Sequence, residues 1–107
     1  MSEQILKPEF SEDELRLIER LKESPNDPET KQMLLDWTTR QEAEANRLNT
    51  SRANIEADIK RAKLHKAAGF EEEAWEVLEG IRRQAMQEGE DDLYQVVMRI
   101  MDEIDSD

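Results

Sequence analysis

Between Pro28 and Gly69 this chain runs forty residues without a glycine or a proline. Those two residue types are the strongest local breakers of a helix, and compact domains rarely carry structureless loops of such length. The gap predicts a long helix over residues 28–68, around which the rest of a 107-residue chain must be arranged. It leaves one alternative open, a soft joint near residues 49–51. Asn46, Asn49, Thr50, Ser51 and Asn54 have poor helix propensity, and Thr50 or Ser51 can cap a fresh start.

The flanks carry their own punctuation. Ser11 with Glu14 three residues on is a capping box, and Phe10 before it is placed to act as a hydrophobic staple. Leu15, Ile18 and Leu21 follow at helical spacing with Leu17 widening the stripe, and Ser24-Pro25 ends a helix over 11–23. Asp27-Pro28 is the next start, an N-cap followed by proline at the first helical position, and Met33, Leu34 and Trp37 make its apolar face. Gly69 fits the C-terminal cap of whatever precedes it. Ala74, Leu78, Ile81 and Ala85 then line the inner side of a helix over 71–88, flanked by Trp75 and Val77. Gly80 inside that helix reads as a place where a neighbouring helix approaches closely. Gly89 ends it, and Leu93, Val97, Ile100 and Ile104 give the stripe of a last helix over 91–104.

No segment alternates with the period of a strand. The expected fold is therefore all-α: one domain over 1–107, a small elongated bundle of about four helices with antiparallel hairpins around the long central one. Residues 1–10 read as an N-terminal arm in which Ile5, Leu6 and Phe10 can dock, and residues 105–107 as a disordered tail. Trp37 is expected to anchor an N-terminal cluster and Trp75 a C-terminal one, with Gly69 and Gly80 as the structural glycines.

Charge adds to this. The net −12 divides into −5 over residues 1–36, +3 over 37–66 and −10 over 67–107. An acidic surface argues against nucleic acid or an anionic membrane as partner. The basic cluster Lys60, Arg61, Lys63 and Lys66 is instead expected to face Glu72, Glu73, Glu76 and Glu79 across a hairpin closing at Gly69. No apolar run approaches the roughly 18 residues of a membrane span, and no leader pattern opens the chain, so a cytoplasmic protein is expected.

Few residues carry chemistry. Without cysteine there is no thiolate ligand or nucleophile, and the one histidine, His65, lacks the partners of a two-histidine metal motif. Its place in the last turn before Gly69 suits a partly charged imidazole at a helix C-terminus. Glu71-Glu72-Glu73 and Glu90-Asp91-Asp92 fall at helix starts, where carboxylates are stabilised by the dipole, and neither has the alternating ligands of a calcium loop. No catalytic, metal or cofactor residue is assigned.

One seven-residue spacing remains. Gln41, Leu48, Ile55 and Ala62 share a register, as do Ala45, Arg52, Ile59 and Lys66. The polar waist over 38–54 thus presents Gln41, Ala45, Leu48, Arg52 and Ile55 as a candidate interaction face. A long helix in so short a chain would leave Leu48 and Ile55 uncovered, which favours an elongated dimer.

The stretch Ala62-Lys-Leu-His-Lys-Ala-Ala-Gly-Phe-Glu-Glu-Glu-Ala-Trp-Glu-Val-Leu78 resembles the turn and second helix of a tetratricopeptide repeat. Gly69 and Ala74 match that family's turn glycine and packing alanine, and Leu78 and Ile81 take two later core positions. Asp58 and Arg61 stand where its tryptophan and leucine are expected, and no closing proline follows Ile81. The resemblance spans residues 58–81 in one copy, whereas solenoids need about three repeats. It implies a helical hairpin and peptide binding. The function expected is a non-enzymatic adaptor or regulatory module that binds a protein partner or a second copy. The alternative is an acidic decoy or chaperone-like protein that masks a basic or nucleic-acid-binding surface.

Overall fold

The computed structural model describes residues 10–106. Five helices follow one another: α1 (Glu12–Glu23), α2 (Pro28–Leu48), α3 (Ser51–Ala67), α4 (Glu71–Glu88) and α5 (Asp91–Asp105). Of the N-terminal arm only Phe10 lies among the described residues, so the docking of Ile5 and Leu6 falls outside them, as does Asp107 of the tail.

The long central helix is two helices. Asn49 ends α2 in the left-handed conformation (φ 55°, ψ 46°), and Thr50 at once caps α3, its hydroxyl accepting from the Ala53 N–H at 3.0 Å. Asparagine visits that region more readily than most residues because its short amide can bond locally. A continuous helix over 28–68 would be about 60 Å long at 1.5 Å per residue. The described chain measures 38 × 38 × 27 Å, so the elongated shape is not found.

The organising element is α3 alone, which packs against each of the other four helices. Its residues advance by about 100° each. Ile55, Ile59 and Ala62 therefore share one side and enter a core with Ala74, Leu78 and Ile81 of α4 and Leu93, Val97 and Ile100 of α5. Leu64 points the opposite way and joins Leu17, Ile18, Leu21 and Trp37 in a second core shared with α1 and α2. Both sides of α3 are dry: Ile55, Ala62 and Leu64 are all fully buried.

Two turns are built around glycine. At Gly69 (φ 92°) the Phe70 N–H reaches the His65 carbonyl at 2.8 Å and the Gly69 N–H reaches that of Lys66 at 3.0 Å. Gly89 (φ 72°) repeats the pattern onto Ala85 and Met86. Each is a Schellman ending, which absorbs the last orphan carbonyls and needs a residue without Cβ strain. Gly80 does something else. It is exposed, and a Cβ built there meets nothing within 4 Å, so no neighbouring helix approaches it. Gly80→Ala is therefore expected to stabilise the chain by about 0.5–1 kcal/mol through reduced unfolded-state entropy. Urea unfolding checks this by a rise in the midpoint at unchanged slope.

The first helix is rotated from its expected register. Its buried side is Glu14, Leu17, Ile18 and Leu21, while Leu15 is 49% exposed. Phe10 packs onto the α1–α2–α3 core rather than serving as a staple to Leu15. Where α1 turns into α2, Arg20 bonds the buried Thr30 hydroxyl at 3.3 Å and pairs with Glu29 at 3.2 Å and Asp27 at 3.7 Å.

Candidate interaction surfaces

The five residues of the polar waist do not form one free face. Ile55 is 0% exposed, covered by the chain's own α4 and α5 once the break at Asn49 turns α3 inward. Its supposed exposure therefore gives no reason for a dimer. Ala45 is buried too. Arg52 is committed elsewhere: its guanidinium bonds Glu90 at 2.8 Å and Asp92 at 2.6 and 3.0 Å, and lies 3.6 Å from Glu56. Those bonds raise the affinity of Arg52 for its proton and, led by the Arg52 hydrogen bond, hold Asp92 down at about 2. Arg52 thus ties the start of α3 to the α4–α5 turn.

Gln41, Ala45 and Leu48 do stay together. With Ala53, Ala57 and Lys60 they line a shallow groove of about 190 Å³ where α2 meets α3. Alanines at 45, 53 and 57 let the two helices close on each other at the elbow, and Leu48 stands 51% exposed at its end. On the adjacent side Glu42, Asn46, Asn54 and Asp58 border a polar hollow of about 290 Å³. Burial, assisted by Glu42 and opposed by Arg61, pushes the Asp58 carboxyl up.

A larger groove, about 620 Å³, lies between α1 and α2. Leu17, Met33 and Trp37 give it an apolar lining and Leu35, 58% exposed, stands at its edge. The sequence carried a signal for it. Leu34 and Leu35 are neighbours in a helix, about 100° apart; Leu34 packs inward, while Leu35 stays outside.

Trp37 is 3% exposed within the N-terminal core, while Trp75 is half-buried against the C-terminal one. Beneath Trp37 lies Glu14, the one buried acid among the described residues. Its Oε1 accepts from the Ser11 N–H and its Oε2 from the Trp37 indole N–H, both at 2.9 Å. Burial pushes the Glu14 carboxyl up, but the Ser11 amide, the Trp37 indole, the Lys60 ammonium and the Ser11 hydroxyl together hold it below the usual range.

Two members of the basic cluster of α3 take partners outside α4. Arg61 pairs with Asp58 at 3.7 Å, and Lys66 reaches α5, 3.4 Å from Glu103. Lys66 also lines a groove of about 270 Å³ with Phe10, Lys63, Val96 and Arg99. His65 packs near Phe70, ring centroids 6.4 Å apart, and its buried Nδ1 has no hydrogen-bond partner. Burial and the nearby Arg61 charge push His65 down despite Glu73, so the ring is neutral at pH 7 rather than partly charged. Among the described residues no cluster of acids and histidine could hold a metal ion, and no helix is long and apolar enough to cross a membrane.

These shifts set an acid limb on stability. His65 titrates lower folded than unfolded, so stability is expected to fall once pH drops below about 6.5. Glu14 adds a further loss as pH falls through its depressed folded value; Asp58, shifted the other way, opposes it in part. Urea midpoints measured from pH 8 to pH 3 check both limbs. His65→Gln should flatten the profile just below about pH 6.5 and leave the carboxylate limb.

Comparison of the chain with protein-family models, with curated proteins and with solved structures finds no match.

Proposed function

We propose that this chain is a non-enzymatic interaction module, an adaptor or regulatory protein that binds another protein through the α2–α3 elbow. The observation that carries this is Leu48. It is a large apolar side chain, half exposed, at the end of a groove whose walls are Gln41, Ala45 and Lys60. A leucine beside a shallow, alanine-lined cleft with a polar rim is the kind of anchor point a partner's apolar side chain can cover. The resemblance of residues 58–81 to a tetratricopeptide hairpin supports the reading, since it implies antiparallel packing of α3 on α4 and peptide recognition.

Affinity capture from native lysate, repeated with Leu48→Glu, tests it. A partner held by the unaltered chain at 1 M salt and lost with Leu48→Glu supports apolar docking at the elbow. A partner indifferent to Leu48→Glu overturns it.

A specific observation favours one alternative. Glu72, Glu73 and Glu76 of α4 are exposed and make no ion pair among the described residues, so α4 presents an uncompensated acidic face. That suits a decoy covering a basic surface of its partner. Such binding should collapse at 1 M salt, where the Debye length is about 3 Å, and should not respond to Leu48.

A further inference from the structure

The α1–α2 groove does not share the acidic balance of the chain as a whole. The chain carries −12, so two copies repel each other over most approaches. This groove is locally neutral. Two carboxylates, Asp13 and Asp36, and two guanidiniums, Arg16 and Arg40, stand around its apolar lining. Asp13 and Arg16 already pair with each other at 3.3 Å, and Asp36 accepts from Gln32 at 2.9 Å. Arg40 is exposed and has no hydrogen bond or ion pair among the described residues. One chain by itself thus leaves a cation without a partner and an exposed leucine, Leu35, beside a hollow that already reaches Trp37.

We propose that this groove is a homodimer interface, in which a second copy packs groove to groove about a two-fold axis and Arg40 of each copy meets Asp36 of the other. A two-fold interface sets the same patch on both sides, so any contact between unlike residues is made twice. Asp36 and Arg40 lie one helical turn apart on the same helix. Crossing α2 with its own copy near that turn brings acid to base on both sides at once. The acidic first turns of α4 and α5 have no such arrangement, since copies meeting there would set like charge against like. Leu35 of each copy then covers the apolar lining of the other. The proposal rests on the reading of this chain as an interaction module and supplies the second copy; the partner surface at Leu48 is separate from it.

Light scattering on the purified full chain at about 100 μM tests it, a concentration at which a micromolar Kd makes the dimer the main species. The expected mass is twice 12.6 kDa. Leu35→Glu and Arg40→Glu are each expected to raise the dimer Kd at least about tenfold, because every substitution enters a two-fold interface twice. Both side chains are exposed, so unchanged circular dichroism should accompany the loss. Asp36→Arg combined with Arg40→Glu exchanges the charges and should restore association. A chain that stays at 12.6 kDa overturns the proposal and leaves the groove to an unlike partner; if capture still depends on Leu48, the interaction module survives that failure. A dimer undiminished by Leu35→Glu and Arg40→Glu also overturns it, as does a charge exchange that fails to restore.

Discussion

Replacing Trp37 with alanine is expected to cost about 3–5 kcal/mol of folding stability, a large part of the roughly 5–15 kcal/mol available to a domain of this size. Two losses combine. The indole fills the N-terminal core among Leu17, Ile18, Leu21 and Leu64, and removing it opens a cavity that those side chains can only partly close. It also strips the Trp37 indole donor from Oε2 of Glu14, which is 8% exposed. A buried carboxylate oxygen without a donor costs about 1–3 kcal/mol or more. Trp37→Phe separates the two, keeping most of the packing and losing the N–H. It should cost about 1–3 kcal/mol at pH 7 and less at pH 4, flattening the acid limb of the stability profile, since Glu14 loses a bond that favours its charged form. Urea unfolding of both variants at pH 7 and pH 4 checks the pair. A Trp37→Phe profile parallel to that of the unaltered chain would show that the indole bond contributes nothing to the charged state of Glu14.

This contact also explains why α1 was legible only to within a rotation. Glutamate ordinarily reads as solvent-facing, so the apolar set Leu15, Leu17, Ile18 and Leu21 is centred to leave Glu14 outside. A donor twenty-three residues away on another helix reverses that. The capping box itself was readable, because both of its bonds are local: Ser11 Oγ to the Glu14 N–H at 3.2 Å and Glu14 Oε1 to the Ser11 N–H. Local chemistry of this kind also placed the start at Asp27-Pro28 and the glycine endings at 69 and 89, and it offered Thr50 or Ser51 as the cap of a joint that the structure puts at Thr50. The stripes of α4 and α5 were readable because each helix has one core to face: Ala74, Leu78, Ile81 and Ala85, and Leu93, Val97 and Ile100, are all buried, and Ile104 at the end of the second stripe is half-buried against the same core.

Helix α3 gives no such stripe. Apolar residues on opposite sides cancel as a periodic signal, so a central helix resembles a weakly amphipathic one. The heptad spacing of Leu48, Ile55 and Ala62 crosses the break at Asn49 and joins residues that end up in different surroundings: one half exposed, two in the core. The interaction face drawn from it was therefore divided, keeping Gln41, Ala45 and Leu48 and losing Arg52 and Ile55. The charge pattern was right in kind and wrong in address. The basic middle does meet the acidic C-terminal part, through Arg52 to Glu90 and Asp92 and Lys66 to Glu103, but on α5 and the turn before it. Long flexible side chains report the sign of a neighbour's charge better than its position.

Leu64→Ala should cost about 2–5 kcal/mol, against less than about 0.5 kcal/mol for Leu48→Ala, although both are leucines in α2–α3. The difference follows from burial alone: Leu64 is 0% exposed and Leu48 51%. Where the loss appears is the sharper expectation. Leu64 is the fully buried side chain that α3 sends into the core with α1 and α2, whereas Ile55 and Ala62 serve the core with α4 and α5. Removing Leu64 therefore weakens the attachment of α1 and α2 while leaving three mutually packed helices behind. Native-state hydrogen exchange should show amide protection in α1 and the first half of α2 falling more than in α4 and α5. Leu78→Ala, which empties the opposite core, should lower protection in α4 and α5 and carry α1 and α2 with it, because they pack on α3 alone among those three helices. Equal losses throughout for Leu64→Ala would mean that the two cores open only together, and that α3 couples its two sides too tightly for either to yield first.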